Sequence, residues 1–327
     1  MARITFYILT FLIGWNSFAQ EERIQVKDTI PTDDYIKKFN SLVGIKLSFI
    51  DVSNSFDYYN QGDKTTYDII PNLKQRLAVG FQYRFIEFGF GFSPTFLPGN
   101  KSKDNDDSEI YNLNFRGIYK GLIQTLSFYH QTGFTISSSD GDYNAPHFET
   151  NKIQGSTAFS LNDNFSYRAT IGQREWQAKS AGSFIPKVAY DYTNFVMQSS
   201  GFEHNAQSAN IGLIPGYQYS YVINDHMFIS AGGAIGVGLN YNNFGGNGIF
   251  TTLFNMSANA VFGFNLNRYF GGIHADFSKL KYNGHNHIQL DDNITYIDVY
   301  VGYRFKAPKL LTKTADKIND TFNIEED

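Results

Sequence analysis

The sequence predicts an all-β protein, a transmembrane antiparallel up-and-down β-barrel of about 12 strands with short periplasmic turns and longer external loops. Three observations carry the prediction. Apolar residues recur at every second position in segment after segment, the mark of strands with one apolar face. The connections between these segments alternate short and long. The chain also opens on an export-type leader.

That leader, MARITFYILTFLIGWNSFAQ, has a basic residue (Arg3), an apolar run from Ile4 to Trp15, and small residues at Ser17 and Ala19. This is the pattern of a secretory signal peptide covering residues 1–19. A spanning helix competes, but the run is too short and polar QEERIQVKD follows at once. No later segment approaches the ~18–20 continuous apolar residues of a spanning helix. Residues 20–40 then form a periplasmic N-terminal segment, 41–305 the barrel, and 306–327 a polar periplasmic tail, with both termini in the periplasm.

The strands follow in order. Val43, Ile45, Leu47 and Phe49 interleave with Gly44, Lys46 and Ser48. Leu77, Val79, Phe81 and Tyr83 interleave with polar and small residues. Phe88, Phe90 and Phe92 take over after a tight turn, and Tyr111, Leu113 and Phe115 form the next row. GLIQTLSFYHQTGF and STAFSL are weaker. Phe165, Tyr167, Ala169 and Ile171 open an extended segment running towards Phe184. Rows then run from Ala209 to Tyr221, from Met227 to Tyr241, from Phe250 to Leu266 and from Tyr269 to Phe277. The last strand is YIDVYVGYRF (296–305).

Short connections fall near 85–87, 120–121, 162–164, 222–226 and 267–268. Longer polar ones fall at 51–72, 97–108, 137–152, 185–206, 242–248 and 283–292, an asymmetry typical of outer-membrane barrels. Pro215 is the proline inside a strand and predicts a bulge or local break. Tyr and Phe at strand ends (Tyr83, Tyr221, Tyr241, Phe305) resemble the aromatic girdles at membrane interfaces. Lipid against the apolar rows is therefore the better fit, and outer-membrane lipid the expected partner.

The stretches DDYIKKF (33–39), PNLKQRLAVGFQYRFIEFGFGF (71–92), YNLNF (111–115) and FSYRATIGQREWQAKSAGSF (165–184) resemble an outer-membrane barrel family known as domain of unknown function 4421. The resemblance spans roughly 33–305. It implies the fold and the location, and it adds no activity, catalytic residue or cofactor.

Several function classes are disfavoured by composition. There is no cysteine, hence no disulfide framework, thiolate metal site or thiol nucleophile. The net charge of −4 gives no reason to expect nucleic acid as a partner. No cofactor is expected.

The charged residues of interest point inward by strand parity. The predicted lumen network comprises Lys46, Arg76, Arg84, Glu87, Arg116, Arg168, Arg174, His274, Asp276, Asp298 and Arg304, with Lys74 as a further inward base. Arg84, Arg116, Arg168 and Arg304 lie near short-turn ends and predict an arginine-rich ring at the periplasmic mouth. One reading makes it a paired network filling the lumen, because buried charges need partners. The other makes it a constriction that selects small anions.

His274, Asp276 and Ser278 share one face, but neighbours on a single strand seldom form a hydrolase triad, and a hydrogen-bonded lumen pair is the simpler reading. GHNH (284–287) with Asp291 and Asp292 could ligate a metal, yet it lacks a recognised spacing. The acidic stretches 100–109 and 137–143 match no calcium-loop pattern. AGGAIGVG (231–238) lacks the helix and lysine of a phosphate loop and reads as packing. Segment 185–206 is expected to be an external contact loop carrying Tyr190, Tyr192, Phe195, Met197 and Phe202, too apolar for an idle loop, which could meet a surface partner or fold inward. The tail could dock a periplasmic protein.

The sequence thus predicts a surface or structural barrel protein. A narrow anion-preferring channel is its alternative, and an outer-membrane lipid hydrolase a more distant one.

Overall fold

A computed structural model describes residues 34–39, 41–60, 65–101, 108–139, 141–172, 174–199, 202–244, 247–283 and 288–322. The predicted signal peptide and the GHNH motif lie outside the described residues.

A short strand, β1 (Ile36–Lys38), precedes the wall. The wall begins with β2 (Leu42–Asn60), onto which β3 (Thr65–Pro71) folds back. Then come β4 (Gln75–Tyr83), β5 (Ile86–Phe92), β6 (Ile110–Tyr119), β7 (Leu122–Ser138) and β8 (Gly141–Phe159). A helical turn, α1 (Tyr167–Thr170), and β9 (Glu175–Gln177) leave the wall. It resumes with β10 (Ala181–Ile185), β11 (Lys187–Ser199), β12 (Phe202–Leu213), β13 (Gly216–Asn224), β14 (Met227–Phe244), β15 (Asn247–Leu266), β16 (Tyr269–Asn283) and β17 (Ile288–Lys306). A helix, α2 (Lys309–Phe322), follows.

The expected break at Pro215 is present. β12 and β13 both pair with β14, on either side of Ile214–Pro215, and so form one interrupted wall strand. Pro186 likewise separates β10 from β11, which pair with β13 and β12. Counted this way, antiparallel ladders link about 12 wall strands in a ring. β17 meets β2 with Lys306 opposite Leu42, so both chain ends of the wall lie at one end, here called the terminal end.

The alternation places apolar side chains outside. Leu47 is 55 % exposed, Ile211 54 % and Val237 61 %, whereas Gln82, Ser230 and Asn240 are all but fully buried. This inverts the arrangement of a soluble protein. The solvent matched to such a surface is hydrocarbon, so the fold is that of an outer-membrane β-barrel. Of the four expected girdle residues Tyr221 stands exposed and Tyr241 and Phe305 are half-buried, while Tyr83 is buried beside Arg84.

The structure corrects three expectations. First, the seventh wall strand is not 165–184 but the broken pair β10–β11. The apolar alternation from Phe165 to Ile171 is a helical turn, capped by the Ser166 hydroxyl accepting from the Ala169 N–H at 3.0 Å. Phe165, Ala169 and Ile171 are buried. Second, the external contact loop is wall. Tyr190 and Tyr192 lie on β11 facing outward, and Phe195 and Met197 lie on β11 facing inward against Phe134 and Phe148. Phe202 begins β12. Third, the polar tail contains the helix α2, and Lys306 still belongs to β17.

The long polar connections are largely strand extensions that keep pairing beyond the apolar belt: 137–152 and 242–248 are mostly paired backbone. β4, β5 and β6 are short. Away from the terminal end, β3 bridges the gap above them, pairing with β2 on one side and β7 on the other. Asn72 fastens this bridge: Thr135 donates to its Oδ1 at 2.7 Å, and its amide reaches Ser108 and Asn144 at 3.2 Å each. Asn100 ties the 93–109 connection to β4, accepting from the Lys74 and Gln75 N–H groups and donating to the Gln75 carbonyl at 2.7 Å. Lys74 sits exposed in the connection before β4, not on an inward strand face.

Candidate functional site: the plugged lumen

Residues 34–39 and 160–180 leave the wall and pack against its inner side chains at the terminal end. β1 and β9 pair as a two-stranded ribbon, Ile36 opposite Gln177 and Lys38 opposite Glu175. Trp176 stacks edge-on against Phe228 of β14 at 4.9 Å, and Phe39 and Val261 complete that cluster. The Gln82 amide of β4 donates to the Gly172 carbonyl at 2.9 Å. Gly172 has φ +69°, and a Cβ there would collide with the Tyr300 ring, so the close approach to the wall needs glycine.

Gln177 organises the plug. Its side-chain oxygen accepts from the Ser166 N–H at 2.8 Å, and its amide donates to the carbonyls of Asn164 (2.8 Å) and Lys179 (2.7 Å). One wholly buried side chain thus satisfies backbone groups that no ladder reaches. Burial, reinforced by Arg304, holds the Lys37 ammonium below its usual range, while its Nζ donates to Asn267 Oδ1 at 2.9 Å.

The predicted arginine ring is largely absorbed by this architecture. Arg168 rides on α1 rather than on a strand; it bonds Glu175 Oε1 at 2.7 Å and the carbonyl of Ile118. Arg304 donates to Asn265 Oδ1 at 2.6 Å and lies between the rings of Phe39 and Phe270, 4.1 and 4.2 Å from their centroids. Arg84 pairs with Asp316 of α2. Arg174 is buried in the plug, beside β9.

Higher in the lumen the charges pair across neighbouring strands. Arg116 and Glu87 face each other in register and bond at 2.6 Å. Lys46 lies 3.8 Å from Glu87 and 3.9 Å from Asp298 and caps the Tyr300 ring. His274 faces Asp298 in register, and its ring meets Tyr296, while Asp276 lies opposite Tyr296. Arg76 differs from the others. It is 7 % exposed, rests 5.1 Å from the Tyr129 ring centroid, and lines a polar chamber of about 310 Å³.

The small inward residues of AGGAIGVG do serve packing: a Cβ at Gly232 would strike the Gln218 side chain, and one at Gly236 the Leu213 carbonyl. Among the described residues no group of three or more His, Asp or Glu is placed to hold a metal. Asp292, grouped by sequence with the GHNH motif, is buried on β17.

The sequence reading missed the plug residues Phe39, Gln82, Trp176 and Gln177. The signal available was REWQ (174–177), an unusual tryptophan and glutamine between charges, too short to separate from a strand of the wall.

No curated protein matches the chain by sequence. Among solved structures, it is similar to the outer membrane protease OmpT from Escherichia coli (7 % identity, TM-score 0.41), covering 82 % of this chain and 98 % of that one. It is similar too to the translocator domain of the autotransporter NalP from Neisseria meningitidis (12 %, 0.44; 80 % and 88 %). An outer membrane channel from Pseudomonas putida F1 is a third (13 %, 0.34; 87 % and 100 %). The family described as Domain of unknown function (DUF4421) matches residues 26–305, which takes in the ring, the plug and the chamber, and the chain belongs to that family.

Proposed function

We propose that the protein is an integral outer-membrane barrel whose lumen is shut at the periplasmic end, and that it acts at the cell surface through its distal rim as a structural or interaction protein. The terminal end is the periplasmic one in this reading, supported by its tight wall turns and by the export-type leader. The observation that carries the reading is the plug: Trp176, Phe39 and Gly172 seated on wall side chains, with arginines tied to protein carboxylates and carbonyls. A ring of about 12 strands lies between those that side chains can fill and those that leave an aqueous channel, so a plug of this size decides whether solute passes.

The test is planar-bilayer recording of the purified full chain. The wild type is expected to be electrically silent, and Trp176→Ala combined with Gln177→Ala to open intermittently. Steady wild-type conductance would overturn the reading. A second reading, a narrow anion-preferring channel gated by the plug, is favoured by Arg76, a guanidinium that lines the chamber above the plug without a carboxylate partner. Under that reading the opened variant passes anions in preference to cations.

A further inference from the structure

The chamber above the plug is lined by four cationic side chains (Lys46, Arg76, Arg116, Lys152) and two carboxylates (Glu87, Asp298). Both carboxylates are engaged: Glu87 by Arg116 and Lys46, Asp298 by Lys46. Lys152 has Asp191 at an ion-pair distance of 4.0 Å, with Asp292 a second carboxylate acting on it. Arg76 makes no ion pair or hydrogen bond with a described side chain, and its buried Nε has no acceptor. A guanidinium more than nine-tenths buried and lacking a carboxylate is costly, because a charge taken out of water without a counter-charge loses its hydration uncompensated. Here the Tyr129 ring supports one face of the guanidinium by a cation–π contact. The group lines the chamber near Asn112, whose own Oδ1 lacks a donor.

We propose that this chamber binds a small divalent oxyanion of the phosphate or sulfate class, free or carried on a small organic molecule. Arg76 brings a positive charge with no carboxylate partner, Lys152 adds a second ammonium to the same lining, and a planar guanidinium offers the paired donors that such an oxyanion accepts. Ser127 and Gln154 supply neutral donors on the same lining. The volume suits a small ligand larger than the bare ion. The binding does not rest on whether the barrel conducts: a wild type that conducts and also binds would overturn only the closed-barrel reading.

The experiment is calorimetric titration and thermal melting of the detergent-solubilised full chain at constant ionic strength, with inorganic phosphate, sulfate, glycerol phosphate and chloride. Phosphate and sulfate are expected to bind and to raise the melting temperature, and chloride to do neither. Tighter binding of glycerol phosphate would assign the site to an organic ligand, whereas tighter inorganic phosphate would assign it to the free ion. Arg76→Gln is expected to weaken phosphate by about tenfold or more, the scale of a lost charge-assisted pair. Arg76→Lys, which keeps the charge and loses the fork, is expected to fall between. Should Arg76→Gln fail to fold, as judged by heat-modifiable gel migration, Arg76→Lys alone decides. Absence of phosphate binding in both the wild type and the plug-loosened double variant would overturn the proposal. So would unchanged affinity in the Arg76 variants, or equal effects of chloride.

Discussion

Gln177 holds the terminal end together through neutral hydrogen bonds rather than through charge. Its amide and carbonyl serve backbone groups outside the β1–β9 ladder, so Gln177→Ala removes the acceptor of the Ser166 N–H and a donor to each of the Asn164 and Lys179 carbonyls. The loss is expected to be on the order of 2 kcal/mol, the cost of buried backbone groups left unsatisfied. It should appear as faster amide exchange across 164–179 while the wall strands keep their protection. Charge at single positions was readable from sequence, because parity on a strand is a strict geometric rule; Lys46, Glu87, Arg116, Asp298 and Arg304 all face inward. Which of them pair was not readable, since partners such as Arg84 and Asp316 lie 232 positions apart. Arg168 was misassigned for a different reason. A four-residue helical turn is too short to impose a period of its own on the sequence.

At the scale of elements, the sequence signals worked where the pattern was long and failed where it was short. β14 to β17 were legible because each holds its alternation for many residues, and Pro215 announced its break by lacking a ladder donor. The seventh wall strand was shifted because Pro186 interrupts it and because polar Asp191 and Thr193 look like loop when their inward position is unknown. Helix α2 was hidden by its charges, although Leu311, Ala315 and Phe322 recur at helical spacing. Its docking rests on Arg84, which closes the β4–β5 turn with φ 51° and reaches Asp316. Asp316 is largely exposed, so salt should screen this pair. Arg84→Gln is accordingly expected to hasten tryptic cleavage at Lys313 and Lys317, with the barrel fragment intact, and added salt should narrow the gap between wild type and variant.

For the whole molecule, the arrangement is polar inside and apolar outside, with the plug as a small inner body of conventional polarity. Trp176 is buried in that inner body against Phe228, and the chain's other tryptophan, Trp15, lies in the predicted leader. Indole emission of a chain expressed without residues 1–19 therefore reports on the plug alone. In a urea titration, a red shift in emission is expected before the β-type circular dichroism is lost, because a short ribbon held by one aromatic cluster has fewer stabilising contacts than a ring of long ladders. Coincident transitions would show that plug and wall unfold as one unit.

The β3 bridge has a geometric consequence. Where it spans from β2 to β7 it stands in for β4, β5 and β6, so the circuit holds two fewer strands there than near the plug. At ~4.8 Å per strand, the perimeter contracts by roughly 10 Å. The vessel is therefore a flask with a shoulder, and its neck limits the girth of whatever can descend to the belly. Lengthening or trimming that single strand would resize the neck without altering a single residue of the chamber.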